Sequence, residues 1–431
     1  MIVSPGYDAV WRQAYGQLAE SLPELARAAR PLLTGFAACV DKLVDLHELA
    51  PRLAQATDRR ARNFLAELLA RAAAGRGGEI LVDWPEGPGF LDACVHSGAS
   101  AVGGTSAQAA WTLARIGAPA VIALADRNAA QLAVLDPAIR VAAEYGRAIA
   151  IGDVAASGTG KPAHYIVEYT QGRPLPGMTP TRSTRIIVRF ADEDIEYDPL
   201  FRAFSREEAG GSGAALLSSP NGVAAGRLPA ALDELAEAAA DWRKAAVAVI
   251  HLELGEYTVP GARDATLAKL SGEITSLGLS LSELRDLIPG RQRPEDQAIA
   301  LAERLGLSRL AVHADHWALA VTRHDPEREC DALAFGCFLA SARASAGQPL
   351  TAPAVPRAAT FAATPVPEVI ARHSGGWTAV SCPAPHLCYP RSTVGLGDSF
   401  TAGTMLIHSQ GNDRPILSAL LPGLTTTMQR S

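Results

Sequence analysis

Gly395-Leu396-Gly397-Asp398 stands at the start of an apolar segment near the end of the chain. Phe400, Met405 and Leu406 follow it, as expected of a helix that buries one face. Glycines directly before a helix permit positive φ and let a ligand approach the backbone closely. The free N–H groups of the first helical turn then form an anion site. The stretch therefore predicts a site for a transferring phosphoryl group, whose charge is spread over its oxygens.

Asp398 has two interpretations at this position. A carboxylate at the helix start can accept the proton of a substrate hydroxyl and so help the oxygen attack phosphorus. It can also act only as a helix cap. The four residues alone do not separate these interpretations, and the rest of the chain is needed.

Upstream, short apolar runs alternate with amphipathic segments, as in a doubly wound parallel sheet. Pro294 and Gly306 bracket one such segment in the positions typical of a helix start and end. The expected helices are 9–33, 58–74, 105–116, 233–245 and 294–305. The expected strands are 34–41, 79–83, 120–124, 148–151, 246–250 and 309–313, with 164–169 and 185–190 as an antiparallel pair.

Composition narrows the class of protein. The chain has 431 residues, enough for one large domain and a smaller unit. Apolar residues make up 48% and charged residues 19%, which is typical of a folded globular protein. The net charge of -6 argues against a nucleic-acid partner. No apolar run reaches the about 18 residues of a membrane span, and no secretory signal opens the chain, so we expect a cytoplasmic protein without a membrane partner.

The cysteines predict no zinc site from their spacing, because none forms a Cys-x-x-Cys pair. We expect reduced and mostly buried thiols. The six cysteines are Cys39, Cys94, Cys330, Cys337, Cys382 and Cys388.

Several segments, in family order from about residue 35 to 405, together resemble the ADP-dependent glucokinase and phosphofructokinase family of ribokinase-like kinases. Thr393 to Asp398 resembles its Gly-x-Gly-Asp signature, and His251-Leu252-Glu253 its His-x-Glu motif. Weaker matches are Gly103-Gly104, Thr184-Arg185-Ile186-Ile187, Ser276 to Glu283 and Ala311 to Asp315.

The resemblance implies a ribokinase-like doubly wound, mostly parallel sheet with helices on both faces, plus a smaller β-sheet lid. The large nucleotide-binding domain would comprise 1–33, 50–76, 103–160 and 195–431, and the lid about 34–49, 77–102 and 161–194. The implied reaction moves a phosphoryl group from ADP to a hydroxyl of a sugar-like acceptor, with AMP leaving and Mg²⁺ or another divalent cation assisting.

The resemblance also implies residue roles. Asp398 would be the general base, and the N–H groups of Gly395, Leu396 and Gly397 the anion hole. Glu253 and Glu283 would hold Mg²⁺. The implied nucleotide-binding residues are Arg185, His313, Val394, Gly395 and Gly397, of which Arg185 would also act in catalysis. The implied acceptor-binding residues are Asp41, Glu79, Gly103, Gly104, Thr105 and His164.

Three positions depart from the family pattern. Ser280 and Leu281 stand where the family carries acidic or amide residues, and Thr105 replaces an amide that reads the sugar. Two alternatives therefore stay open: a ribokinase-fold protein that binds nucleotide or sugar with weak catalysis, or an ATP-using kinase for a nucleoside or cyclitol. The sequence does not separate a monomer from a dimer.

Overall fold

The computed structural model describes residues 6–93, 100–366, 369–411 and 416–417. Cys94 lies outside the described residues. None of the helices in these ranges combines the length and apolar composition needed to cross a bilayer.

Strands and helices alternate along most of the chain. The helices are α1 (Tyr7–Ala28), α2 (Leu46–Gln55), α3 (Arg59–Ala73), α4 (Gly87–Asp92), α5 (Thr105–Ile116), α6 (Ala129–Val134), α7 (Pro199–Glu208), α8 (Leu228–Lys244), α9 (Ala262–Leu270), α10 (Leu281–Leu287), α11 (Pro294–Arg304), α12 (Pro326–Ala346) and α13 (Leu396–His408). The strands are β1 (Leu32–Gly35), β2 (Cys39–Asp45), β3 (Gly78–Leu81), β4 (Ser100–Gly103), β5 (Ala120–Ile122), β6 (Arg140–Ala143), β7 (Arg147–Ala150), β8 (His164–Tyr169), β9 (Thr184–Arg189), β10 (Ala214–Ser218), β11 (Ile250–Glu253), β12 (Ser276–Ser280), β13 (Arg309–His313), β14 (Trp317–Thr322), β15 (Ile370–Arg372) and β16 (Thr378–Pro383).

An 11-stranded sheet forms the body of the molecule, in the order β15-β16-β14-β13-β12-β11-β10-β1-β5-β6-β7. Its central strands from β5 to β13 are parallel, and antiparallel strands occupy both ends. The carboxyl ends of the parallel strands therefore meet at one edge, where open α/β sheets bind ligands.

Helices cover both faces of this sheet. Successive strand residues point to opposite faces, so Leu32 and Leu33 of β1 enter two different cores. The first core contains side chains of α1, α5, α12 and α13, and the second contains side chains of α7 to α11. This is the expected doubly wound architecture.

A smaller sheet of five strands, in the order β3-β9-β8-β2-β4, has its own core. β8 and β9 pair antiparallel, as their alternating pattern predicts. Helix α3 packs Phe64 and Leu68 into this core. Residues 50–76, which we expected in the large domain, therefore contact the small sheet.

Two predicted strands are wrong in more than the position of an end. The run 34–41 is split between β1 of the large sheet and β2 of the small one, so Asp41 lies inside β2 instead of ending a strand. The run 246–250 enters the sheet only at Ile250, because Ala246 adopts a φ of 60° in the turn that follows α8.

Candidate active site

A cavity of about 1690 Å³ opens between the two sheets, at the carboxyl edge of the large one. It exceeds the about 300–1,000 Å³ of a typical small-ligand site, so it has room for two substrates. Every predicted site residue except Gly103 lines it. Gly103 lies behind the lining, where a Cβ would come within 2.1 Å of the Asp41 carboxylate. The lining residues from the prediction are Asp41, Glu79, Gly104, Thr105, His164, Arg185, Glu253, Glu283, His313 and 394–398.

The anion loop, Gly395 to Gly397, forms the start of α13. Gly395 is the cap residue and adopts a φ of 67°, a left-handed conformation that glycine reaches without strain. The first N–H groups of the helix have no hydrogen-bond partner within it, and the positive end of the helix dipole at this point favours anions. The His313 ring lies against Gly397, with Cε1 3.5 Å from where a Cβ would be.

Asp398 does not occupy the cap position, which belongs to Gly395. Burial raises the pKa of Asp398, the Arg343 guanidinium opposes this rise, and the Glu253 carboxylate adds to it. The Thr105 hydroxyl, at the start of α5, lies close enough to lower the pKa of Asp398 by hydrogen bonding. Arg185 supplies a further positive charge within interacting range.

Arg343 of α12 is a site residue that sequence reasoning missed. Its guanidinium is buried beneath the anion loop, and a Cβ on Gly395 would lie 2.3 Å from its Cζ. It donates to Gln108 (2.6 Å) and Ser399 (3.2 Å), while its Nε has no hydrogen-bond partner among the described residues. Burial lowers the pKa of Arg343 to about 10. The available signal was a single charged residue, Arg343, within the otherwise uncharged helical run 332–346.

Glu253 ends β11 and is held on several sides. Its carboxylate accepts hydrogen bonds from Thr401 (2.8 Å) and pairs with His251 (3.0 Å) and His313 (3.3 Å). Although burial opposes ionisation, the hydrogen bonds from His251 and His313 lower the pKa of Glu253 to about 2. The structure therefore presents a fixed, ionised carboxylate at the sheet edge.

A buried chain of polar contacts fixes the orientation of the His251 ring. Arg309 forms an ion pair with Glu329 (2.8 Å) and donates to Ser276 (2.9 Å), which contacts His251 Nδ1 at 2.8 Å. Burial lowers the pKa of His251, so its neutral ring donates from Nε2 to Glu253. Within the His-x-Glu motif, the His251 ring thus fixes the orientation of the Glu253 carboxylate.

Glu283 is partly engaged in local structure. Ser280 is the cap of α10, and Glu283 completes a capping box with it, accepting from the Ser280 N–H at 2.6 Å. Burial raises the pKa of Glu283, against the effect of these bonds. Ser280, one of the positions that depart from the family pattern, is therefore a helix cap.

On the lid side, Asp41 and His164 are paired across β2 and β8. Burial raises the pKa of Asp41 to about 6, while His164 acts in the opposite direction. His164 Nε2 contacts Glu193, another residue that sequence reasoning missed. Glu79 is bound by the buried Arg189 and by Asn221 (2.7 Å), so an ion pair occupies this carboxylate.

The parallel sheet, the anion loop at its carboxyl edge and the β-sheet lid define a ribokinase-like kinase. The chain belongs to the ADP-specific phosphofructokinase/glucokinase family, whose conserved region matches residues 30–407. It is an ADP-dependent sugar kinase-like phosphotransferase, and the reaction class is phosphoryl transfer to a sugar.

Solved structures share the fold. An ADP-dependent kinase in complex with fructose-6-phosphate and ADPβS matches 96% of this chain and 100% of its own, at 16% identity and a TM-score of 0.73. A phosphofructokinase from Pyrococcus horikoshii OT3 with AMP matches 88% of this chain and 98% of its own, at 19% identity and a TM-score of 0.67. The last common ancestor of ADP-dependent phosphofructokinases from Methanosarcinales matches 94% and 99%, at 15% identity and a TM-score of 0.67. None of the curated proteins matches this chain.

Proposed function

We propose that Asp398 is the general base of an ADP-dependent sugar kinase in the cytoplasm. It accepts the proton of the acceptor hydroxyl as that oxygen attacks the terminal phosphorus of ADP, and AMP leaves. The supporting observation is the position of Asp398 between the anion loop and the lid. Asp41 and Asp398 are close enough for the charge of one to act on the other.

The anion loop stabilises the transferring group. The N–H groups of Gly395, Leu396 and Gly397 bind its oxygens, and the buried Arg343 adds positive potential from beneath. Arg185, His313 and Val394 bind the donor, because a guanidinium suits a diphosphate and all three line the cavity.

Two carboxylates fit a divalent cation. Glu253 is ionised and Glu283 lines the cavity beside it, and oxygen ligands are those that Mg²⁺ prefers. When bound, Mg²⁺ would neutralise charge on the donor phosphates. Glu253 and Glu283 would hold it, in part through waters.

The acceptor binds on the lid side, against a set of hydrogen-bonding residues that line the cavity or lie directly behind it. Asp41 and His164 contact its hydroxyls. Glu79 accepts from it through the remaining lone pairs of its two oxygens, of which Oε1 pairs with Arg189 and Oε2 accepts from Asn221. Gly104 and Thr105 approach it from the start of α5. Gly103 acts only by letting the backbone pack behind Asp41.

A donor-by-acceptor screen tests the reaction. The purified chain with Mg²⁺ is given ADP or ATP and a panel of acceptors: glucose, fructose 6-phosphate, other sugars, cyclitols and nucleosides. We expect AMP to form from ADP only when a sugar or sugar phosphate is present. Binding without turnover, for every donor and acceptor, would contradict the proposal.

The role of Asp398 is tested by Asp398→Asn. We expect kcat to fall by about 10²- to 10⁴-fold, the usual contribution of a general base, with nearly unchanged binding of ADP. Asp83→Asn is the matched control, because Asp83 is exposed and lies outside the cavity lining. An unchanged kcat in Asp398→Asn would reject this role.

A further inference from the structure

The lid side of the cavity, where the acceptor binds, presents more acidic than basic side chains. We call its charged and titratable lining residues the acceptor wall: Asp41, Glu79, Lys161, His164, Glu193 and Asp194. Four of these six residues are acids. Asp41 and Glu79 are buried, while Glu193 and Asp194 are partly exposed. An incoming acceptor therefore meets carboxylate oxygens on most of this surface.

The two bases of the acceptor wall are already paired with carboxylates. Lys161 forms an ion pair with Glu196, which lies behind the wall. His164 Nε2 contacts Glu193, and His164 Nδ1 lies 3.8 Å from Asp41 Oδ1. The charge of each base is therefore balanced within the protein before an acceptor arrives.

Arg189, a third base, lies behind the acceptor wall and is engaged in the same way. It pairs with Glu79 and donates to the Gly222 carbonyl (2.9 Å) and the Thr258 hydroxyl (3.0 Å). Because its side chain is only 1% exposed, it does not reach the cavity. Arg189 therefore balances Glu79 without offering its own donors to a ligand.

The arginines that do line the cavity belong to other segments. Arg185 acts electrostatically on Asp398 and Arg343 beside the anion loop, which is the donor side. The others lie in loops of the lid or on helices of the large domain: Arg76, Arg182, Arg263 and Arg285. Within the described part of the chain, the acceptor wall therefore offers an anion no unpaired cation.

This arrangement distinguishes a sugar from its phosphate ester. An ionised carboxylate only accepts hydrogen bonds, so it is matched by a sugar hydroxyl, which donates one. A phosphate monoester carries a charge of about −1.5 to −2 at neutral pH and offers mainly acceptor oxygens. Placed against the acceptor wall, it would lose its hydration and face charges of its own sign without a cation to compensate.

We infer that the acceptor is an uncharged sugar and that the carboxylates of the acceptor wall select it against phosphorylated sugars. The inference rests on the proposed function and deepens it by naming the class of acceptor. Asp41, Glu79 and Glu193 accept hydrogen bonds from the sugar hydroxyls, while the pairing of Lys161 with Glu196 leaves no binding site for a second phosphate. The phosphate of the donor binds elsewhere, at the anion loop.

Calorimetry measures this selectivity on protein saturated with Mg²⁺ and the α,β-methylene analogue of ADP. The analogue occupies the anion loop and cannot transfer its phosphoryl group, so an ester cannot bind there in the manner of a product. Glucose and fructose are compared with their 1- and 6-phosphates. We expect each sugar to bind at least about 100-fold more tightly than its esters, because like charges brought together strongly oppose binding.

Two variants test the cause of the selectivity. Glu196→Gln releases the Lys161 ammonium, and a hydrogen bond to a charged group should then strengthen ester binding, relative to sugar binding, by about 10-fold or more. Asp194→Asn removes one partly exposed charge and should narrow the preference by about twofold to fivefold. Asp264→Asn is the matched control: its carboxylate also lines the cavity but lies on α9 and is 79% exposed, so the preference should not change.

The outcomes separate the inference from the proposed function. An ester that binds as tightly as its sugar overturns the inference, and so does an absence of binding by both. Tighter binding of glucosamine than of glucose overturns the uncharged class. A preference that changes in neither Glu196→Gln nor Asp194→Asn, with both folded by circular dichroism, also overturns it. By contrast, a protein that binds sugars with this preference yet forms no AMP from ADP loses the proposed function and keeps the selectivity. If the analogue itself does not bind, the same titrations without it decide the inference.

Discussion

The charges of the Arg343 guanidinium and the Glu253 carboxylate act on Asp398 in opposite directions. Burial raises its pKa, Arg343 favours the ionised form and Glu253 disfavours it. A general base works only when ionised, and its efficiency is greatest when its pKa approaches the working pH. The balance of these charges therefore sets the pH at which the proposed base loses its function.

Arg343→Met tests that balance. The substitution removes a buried positive charge while keeping an apolar stem of similar length. We expect kcat/KM to fall by about 10- to 100-fold, less than the 10²- to 10³-fold of a donor in direct contact, because Arg343 acts through the loop. Loss of the cation disfavours ionised Asp398 and raises its pKa. The acid limb of the pH–rate profile should therefore move to higher pH.

Arg343→Lys provides the comparison. It keeps the charge but loses the paired bonds to Gln108 and Ser399, so the acid limb should stay closer to that of the wild type. An Arg343→Met protein with reduced activity and an unmoved acid limb would mean that Arg343 acts only through packing.

At the scale of elements, α13 carries the anion loop and its position depends on a close crossing with α12. A Cβ at Gly403 would lie 2.6 Å from the Phe335 carbonyl oxygen, and one at Gly336 would lie 2.8 Å from the Phe400 carbonyl oxygen. These neighbours are backbone atoms, which cannot rotate away. The two glycines therefore bring the helices together more closely than any other residue permits.

Gly403→Ala is expected to destabilise the protein, because overpacking costs about 1–3 kcal/mol. That cost exceeds the about 0.5–1 kcal/mol gained when alanine replaces glycine within a helix. Gly16→Ala is the matched control: it lies within α1 with nothing within 4 Å of the added carbon, so it should stabilise the protein. Urea denaturation measures both free energies of unfolding. Equal effects of the two substitutions would contradict the role of the crossing.

The elements that the sequence predicts well are those with local signals. Helix 105–116 follows two glycines, and strands 164–169 and 309–313 have regular patterns, so the predicted and observed bounds agree. The run 34–41 fails because an apolar pattern does not reveal that the chain leaves one sheet for another. The run 246–250 fails because hydrophobicity does not reveal the positive φ of Ala246.

At the scale of the whole molecule, motifs predict the residues that line the cavity, whereas the missed residues Arg343 and Glu168 support the site through contacts between distant parts of the chain. Ser399 and Arg343 are 56 residues apart in sequence, and Ser392 and Glu168 are 224 apart. Neither Arg343 nor Glu168 belongs to a recognisable motif, because each acts only after folding brings its partners to it. The sequence pattern therefore predicts the anion loop and charged residues such as Arg185 and Glu253, but not Arg343 or Glu168.

Glu168 joins the small sheet to the segment that leads into the anion loop. It lies in β8, and its Oε1 accepts hydrogen bonds from the Thr393 N–H (2.9 Å), the Thr393 hydroxyl (3.2 Å) and the Ser392 hydroxyl (3.1 Å). The contact holds the lid and the loop in one arrangement across the cavity. Contacts of this kind complete a catalytic site and exclude water from it.

Glu168→Ala is therefore expected to change kcat and KM together, as mutations at lid and hinge contacts often do. A hydrogen bond to a charged group contributes about 1.5–3 kcal/mol, and 1.4 kcal/mol corresponds to about tenfold in rate. We expect kcat/KM to fall by about 10-fold or more. Glu86→Ala is the control, because its side chain is 71% exposed and its 3.6 Å pair with Arg60 is a surface contact of little energetic value. Steady-state kinetics with ADP and the acceptor found by screening measure kcat and KM for both variants. If Glu168→Ala lowers only the thermal stability and leaves kcat and KM unchanged, the contact supports the fold without shaping the site.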